Sequence, residues 1–533
     1  MAGADIVIGG VMSNQTTYFG DYHALGEFRP ILDTIQNHRL LSVTENATST
    51  TMRFIRQFRT CDPFDVDVTA NTQRIIAAYG TTDTLAYHGP NQRFQASVQL
   101  LSETPVPPPD PVPSFTHELR MNNYPVPSAD TTYACAYLQL PQVSVKNHMY
   151  RFESVIQSGN EDLVHHILIY GCPNNTNVSI PPGICMNNTE FFPCRQVVYG
   201  WAVGGGSFTL PSNAGMSLGT NLDPQYIRIE VHYNNPSMQS GRIDSSGFRI
   251  HYTPVLRPLD AGVLAIGTNV EGLAFIPPRA DSFKLSAYCK TEKFSQVISE
   301  PIPDMQVIAT LLHSHLAGRA IQVGHYRDGK QIGFVGRDMS YDFSLQETRY
   351  LAEITPIKVG DELQTECTYN TTERPSVTYG GLSTTSEMCL AFLFYTPRNL
   401  IAECTSNPDY RSLSSPFGFD VHSNPAALNL VSWTPENISL AQRVTQESTQ
   451  NIRVIHFNAS FILDTGLIRD ITPPPVTPCN SSETSTTAPT SMPNMPNTVP
   501  HCHSGQSLSS GYLCLTPFLL STLSVILSPF LDF

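Results

Sequence analysis

Two histidines two residues apart, His313 and His315, lie in the apolar run 307–316. A run this short reads as a buried strand. On a strand, residues i and i+2 point to one face, so both imidazoles would aim at one point. Converging imidazoles are what a metal ion needs, although a hydrogen-bonded pair of core histidines is an equally good explanation of the pair alone. Three more elements carry ligand-type side chains: His165 and His166 in 163–170, His232 in 226–233, and Met388 in 388–395. Sorted by position, they make a group of three histidines, then a group of two histidines and a methionine. Three imidazoles suit zinc or copper. A thioether is a soft ligand, poor for Zn²⁺ and good for Cu(I).

Each element must present its ligand correctly, and the four do so unequally. In 226–233, Ile227, Ile229, Val231 and Tyr233 take one face; Arg228, Glu230 and His232 take the other. His232 is therefore expected to leave the apolar core and face a polar surface. Adjacent His165 and His166 point apart on a regular strand and reach one metal only at a bulge or twisted end. Residues 388–395 are apolar on both faces, so a gap-filling core methionine is the plainer explanation of Met388.

The 533 residues include 42 Pro and 33 Gly, with 41% hydrophobic and only 14% charged side chains. Short apolar runs recur between turn residues and long helical patterns are scarce, which predicts an all-β chain of sandwiches. A net charge of −14 without Lys/Arg clusters argues against nucleic acid as a partner. The 12 cysteines form no CxxC pairs. Nine glycosylation sequons begin at Asn14, Asn46, Asn174, Asn177, Asn187, Asn370, Asn437, Asn458 and Asn480. Together these predict the secretory pathway or cell surface. The first six residues lack the charged and apolar runs of a leader, so part of the front is expected to be missing.

Along the chain, residues 1–102 read as a partial β domain with strands at 5–11, 51–58 and 74–79. A Pro-rich linker, 103–114, follows. Residues 115–255 and 256–415 form two further β units, and 416–472 extend the core. Residues 473–510 are rich in Pro, Ser and Thr and read as a disordered stalk. The uncharged stretch within 511–533 reads as a membrane span or a lipid-anchor signal, giving membrane association through the tail.

The motifs Val164-His-His-Ile-Leu-Ile-Tyr-Gly-Cys172, Ile229-Glu-Val-His-Tyr-Asn-Asn-Pro236, Leu312-His-Ser-His-Leu-Ala-Gly-Arg319, Cys367-Thr-Tyr-Asn-Thr371 and Glu387-Met-Cys389 resemble those of the copper type II, ascorbate-dependent monooxygenases. The dopamine β-hydroxylase-like branch is the most similar. The resemblance runs from about residue 3 to Cys479, and its front, Asp5-Ile-Val-Ile-Gly-Gly and Phe58-Arg-Thr-Cys-Asp62, resembles the later part of a DOMON domain. It implies two jelly-roll β-sandwiches facing each other across an open cleft. One would hold an electron-storage copper on His165, His166 and His232. The other would hold the O₂-binding copper on His313, His315 and Met388. Tyr133 and His313 match the family's catalytic positions. The implied reaction hydroxylates a C–H bond of a small substrate, an arylalkylamine being one candidate, with O₂ and with ascorbate as reductant. The alternative is a non-catalytic copper-binding pseudoenzyme of the same fold. A zinc hydrolase on the three-histidine group is a further rival, but it leaves Met388 without a role. The family pattern also implies the disulfides Cys61–Cys479, Cys135–Cys185, Cys172–Cys194, Cys289–Cys404 and Cys367–Cys389. Dopamine β-hydroxylase has one more cysteine where this chain has Lys293. The substrate and the oligomeric state are not legible.

Overall fold

The computed structural model describes residues 3–475 apart from 47–48, 81, 83, 102–106, 186–187, 271, 300 and 459, together with 478–479, 507–508, 512–515 and 525–528. The chain divides into two compact units, Met1–Glu103 with Pro473–Phe533, and Thr104–Thr472.

In the first unit, Ala4–Val11 and Thr17–Ala24 form a hairpin, Arg39–Glu45 pairs with Thr50–Gln57, and Gln73–Ala78 pairs with Arg93–Val98. Its fully apolar cluster is small, centred on Ala4, Ile6 and Ala24. Buried polar contacts do much of the joining. Arg56 Nη1 donates to Asp5 Oδ2 at 2.5 Å, and that oxygen also accepts from Val66 N–H at 3.0 Å. The Cys61–Cys479 disulfide ties the returning chain to this unit.

The described parts of the tail are strands. Tyr512–Leu515 pairs with Thr50–Gln57, and Val525–Ser528 lies between Ala4–Val11 and Gln73–Ala78. Among the described residues no helix is long and apolar enough to cross a membrane. Eight residues of 511–533 are thus in strands, since an uncharged stretch can satisfy its backbone on a sheet as well as in a bilayer; the others lie outside the described residues. Most of the stalk, 473–510, lies outside the described residues, as do Asn187 and Asn480. Among the other sequons, Asn14, Asn46, Asn174, Asn177 and Asn458 are exposed, and Asn370 and Asn437 half-buried.

The second unit holds two β-sandwiches. The first stacks a five-stranded sheet on a six-stranded one. The five-stranded sheet runs Gly183–Ile184, Thr131–Gln139, Tyr226–Asn234, Val164–Gly171, Gln196–Ala202. The second sandwich has a seven-stranded sheet with Met305–His313 beside Leu390–Thr396 near one end, and a four-stranded sheet that includes Glu362–Tyr369. Inward residues of the first sandwich, such as Ile227, Ile229 and Val231, join Leu311, Phe392 and Phe394 of the second in one apolar cluster. Phe394 lies 4.9 Å from the Phe208 ring, and Tyr350 O–H donates across to Thr209 O at 2.7 Å. The sandwiches therefore share a core, and the open cleft implied by the resemblance is closed along this contact. Burying aromatic area of this size gives the reason.

Candidate metal centre

The first histidine group is built on the middle of a sheet. Pairing between Val164–Gly171 and Tyr226–Asn234 slips at one point: Val164 faces Tyr233, His166 faces His232, and His165 is the extra residue. This is the bulge that adjacent histidines require, and it turns both rings to one side. His165 Nδ1 lies 3.2 Å from His166 Nδ1, which lies 3.4 Å from His232 Nδ1. Tyr133 stands opposite His232 on the neighbouring strand and stacks on it, centroids 4.4 Å apart and planes at 1°. The alternation expected for 226–233 is present, but the face carrying His232 is not a solvated surface: His232 is 0% exposed, and Arg228 and Glu230 beside it are buried. Strand alternation sets which residues share a face, not what packs over that face.

The second group departs from the strand rule. Met305–His313 ends at His313, and His315 lies in the turn that follows. Convergence comes from hydrogen bonds rather than from the pleat. His313 Nδ1 bonds Gln346 Oε1 at 2.6 Å, and His315 Nδ1 bonds Ser386 O at 3.0 Å. Tyr341 O–H donates to Ser314 O at 2.6 Å and accepts from Ser314 N–H at 3.0 Å. Glu387 accepts from His315 N–H, Ala317 N–H and Ser314 Oγ–H at 3.0, 2.6 and 3.1 Å. The turn also needs Gly318, where a Cβ would meet Ser314 Oγ at 2.6 Å. Met388 precedes Leu390–Thr396 and is 7% exposed. It is pinned by the Cys367–Cys389 disulfide and by Tyr369 O–H donating to Met388 O at 2.7 Å.

The two groups meet. The His166 and His313 rings are 5.8 Å apart, and Phe343 stacks on His165 at 4.2 Å while lying 6.2 Å from His315. A cavity of about 120 Å³ is lined by Tyr133, His166, Trp201, His313, His315 and Met388, with Glu230 at its wall. Burial pushes the Glu230 carboxyl up, and Arg228 Nη2 lies 3.5 Å from its Oε2.

A metal fits these side chains. Burial lowers all five histidines, His165 and His313 to about 4 and His315 to about 3, with His166 and His232 well below the ordinary value. Each is neutral at physiological pH and has a lone pair to give. Three Nδ1 atoms converge in the first group, more than shared protons can pair. In the second, Gln346 and the Ser386 carbonyl take the Nδ1–H groups and leave Nε2 free, and His315 Nε2 is buried without a partner. Cys135, Cys185 and Glu230 also cluster, but the two sulfurs are bonded to each other.

Residues 117–240 match the model of the copper type II ascorbate-dependent monooxygenase N-terminal domain, residues 259–417 that of its C-terminal domain, and residues 1–80 that of the DOMON domain. The chain belongs to the copper type II ascorbate-dependent monooxygenase family. It is 43% identical over 486 residues to "DBH-like monooxygenase protein 2" of Mus musculus, covering 90% of this chain and 78% of that one. It is 47% identical over 413 residues to "Putative DBH-like monooxygenase protein 2" of Homo sapiens, covering 76% and 82%. To "Dopamine beta-hydroxylase" of Homo sapiens it is 34% identical over 403 residues, covering 74% and 65%.

All five disulfides implied by the resemblance are present: Cys61–Cys479, Cys135–Cys185, Cys172–Cys194, Cys289–Cys404 and Cys367–Cys389. Lys293 sits beside Asp464, its Nζ 3.8 Å from Oδ2. A chain with this many bridges is made for an oxidising compartment. Sequence reasoning missed Gln346, Phe343 and Tyr341, which no spacing marks. Glu387 stood in a quoted motif, but only as the neighbour of Met388.

Proposed function

We propose that this chain hydroxylates a C–H bond of a small substrate with O₂, using ascorbate as reductant. His165, His166 and His232 would hold one copper, and His313, His315 and Met388 a second. Copper in these sets supplies one-electron redox chemistry toward O₂. The overall balance is R–H + O₂ + 2 e⁻ + 2 H⁺ → R–OH + H₂O. The observation that carries the reading is a soft thioether with two imidazoles on the same small cavity as the three-histidine group.

The chain's own groups prepare that cavity. Leu168, Val197, Leu311, Leu390 and Phe392 line it and favour an apolar substrate body over water. Burial, with Glu230 nearby, pushes the Tyr133 phenol well up, so it stays protonated; its buried O–H has no partner and remains available to one. Gln346 and the Ser386 carbonyl fix the tautomers of His313 and His315 and so keep their Nε2 atoms ready to ligate.

The test is to load the full chain with copper, add ascorbate and ¹⁸O₂, and offer a mixture of small metabolites, arylalkylamines included. A two-mass-unit isotope label on one compound, dependent on copper and ascorbate, is expected. Copper uptake with no labelled product under any condition would instead identify a non-catalytic copper protein.

A further inference from the structure

We infer that Glu387 is the positioning residue that joins the two halves of the second ligand set. The inference rests on the copper assignment just proposed and adds a residue that touches no ligand atom. His313 and His315 come from one segment and Met388 from another, about seventy residues later in the chain, so something must fix one against the other. The Glu387 carboxylate is placed to do so. It is 3% exposed and directly precedes Met388. Oε2 accepts from Ser314 Oγ–H and His315 N–H, and Oε1 from Ala317 N–H. Arg374 Nη2, at 3.5 Å from Oε1, is the cation closest to it. One carboxylate therefore collects three donors of the His313–Ala317 turn and holds that turn to the backbone of the methionine.

The geometry separates a carboxylate from its nearest isostere. In Glu387→Gln one oxygen becomes an NH₂ group. Turned toward Ala317 it meets an N–H donor and the Arg374 guanidinium; turned the other way it meets the His315 N–H. Either orientation sets donor against donor in a buried place, and the turn must shift to relieve it. Glu387→Asp keeps both acceptor oxygens but shortens the arm by one methylene. The first ligand set touches none of these atoms.

The experiment loads the full-length wild type, Glu387→Gln and Glu387→Asp with Cu(I) without oxygen. It reads copper per chain, circular dichroism, and the copper–sulfur scattering in the X-ray absorption spectrum. For Glu387→Gln the expected result is native dichroism, one copper retained on the histidine group, second-copper affinity lowered about 10–100-fold, and a reduced sulfur signal. Glu387→Asp should recover part of the sulfur signal. An unchanged sulfur signal in Glu387→Gln, or loss of both coppers together with the dichroism, would overturn the inference. So would a recovery no better in Glu387→Asp than in Glu387→Gln. A wild type without copper on the second set overturns this inference and the proposed function together. A wild type that takes two coppers but makes no product overturns only the activity.

Discussion

Gln346→Leu isolates one hydrogen bond of the second ligand set. Gln346 is 2% exposed, its Nε2 donates to Phe343 O at 2.9 Å, and its Oε1 accepts from His313 Nδ1 at 2.6 Å. Nε2 already has an acceptor, so the oxygen faces the imidazole and Nδ1 must carry the proton. Leucine nearly preserves the volume and removes the acceptor. The stranded Nδ1–H then costs about 1–3 kcal/mol, in the metal-free and the metal-bound chain alike. Only the part of the bond that strengthens when Nε2 ligates counts toward affinity. For such outer partners that part is about 10–100-fold, or roughly 1.4–2.8 kcal/mol. None of the three histidines of the first group bonds Gln346, so copper there should be unchanged. The assay is competitive Cu(I) titration against a chromophoric chelator, fitted to two sites, with Met388→Ile as the marker of the second site. Equal weakening of both sites, or no weakening of either, would refute the argument that Gln346 sets the His313 tautomer.

Met388→Ile should keep the fold, weaken the second copper and abolish hydroxylation, while His166→Ala should weaken the first copper alone; copper per chain and product formation check both. Gly267 has φ +131°, and a Cβ there would meet Cys389 O at 2.0 Å. Gly267→Ala should therefore cost about 3 kcal/mol or more in denaturant unfolding, by pushing Leu390–Thr396 outward. Burial pushes the Asp361 carboxyl up, but hydrogen bonds from Arg327 and His325 outweigh this and hold it below the ordinary value. A depressed carboxylate gives stability that is present above the unfolded value, about 3.9, and is lost as pH falls through the folded one. Asp361→Asn should thus lower stability at neutral pH by about 3 kcal/mol and lessen the loss in acid, read from urea midpoints between pH 7 and 3.

The residues that meet at the candidate centre were legible because their types are chemically narrow, and because alternation in 226–233 predicted the face that His232 takes. How they converge was less legible. Adjacent His165 and His166 demanded a bulge, and the slip at Val164/His166 supplies it. The i, i+2 argument for His313 and His315 placed both on one strand, whereas the strand stops at His313 and a turn carries His315; their rings still lie 5.1 Å apart. Strand length depends on partners that a local pattern does not contain. Gln346 and Phe343 approach the site from a loop about thirty residues beyond His313, and nothing periodic marks a single Gln or Phe in a loop. The closed contact between sandwiches depends on Phe208, Tyr350 and Phe394 meeting across them. Each alone reads as an ordinary core aromatic.

The two ligand sets are held by different physics, and that difference decides which substitutions reach which set. His166 and His232 face each other across paired strands in the interior of a sheet, flanked by Thr131–Gln139 and Gln196–Ala202. Backbone ladders on both sides fix their positions, and a lost side-chain hydrogen bond nearby moves the backbone little. His315 and Met388 lie outside regular strands, and His313 is the last residue of one. Their relative placement depends on Gln346, Ser386, Tyr341 and Glu387, each through one or a few hydrogen bonds. The second set is therefore the adjustable one. Conservative changes in its hydrogen-bonded surroundings should alter affinity and spectroscopy there while leaving the histidine group as it was.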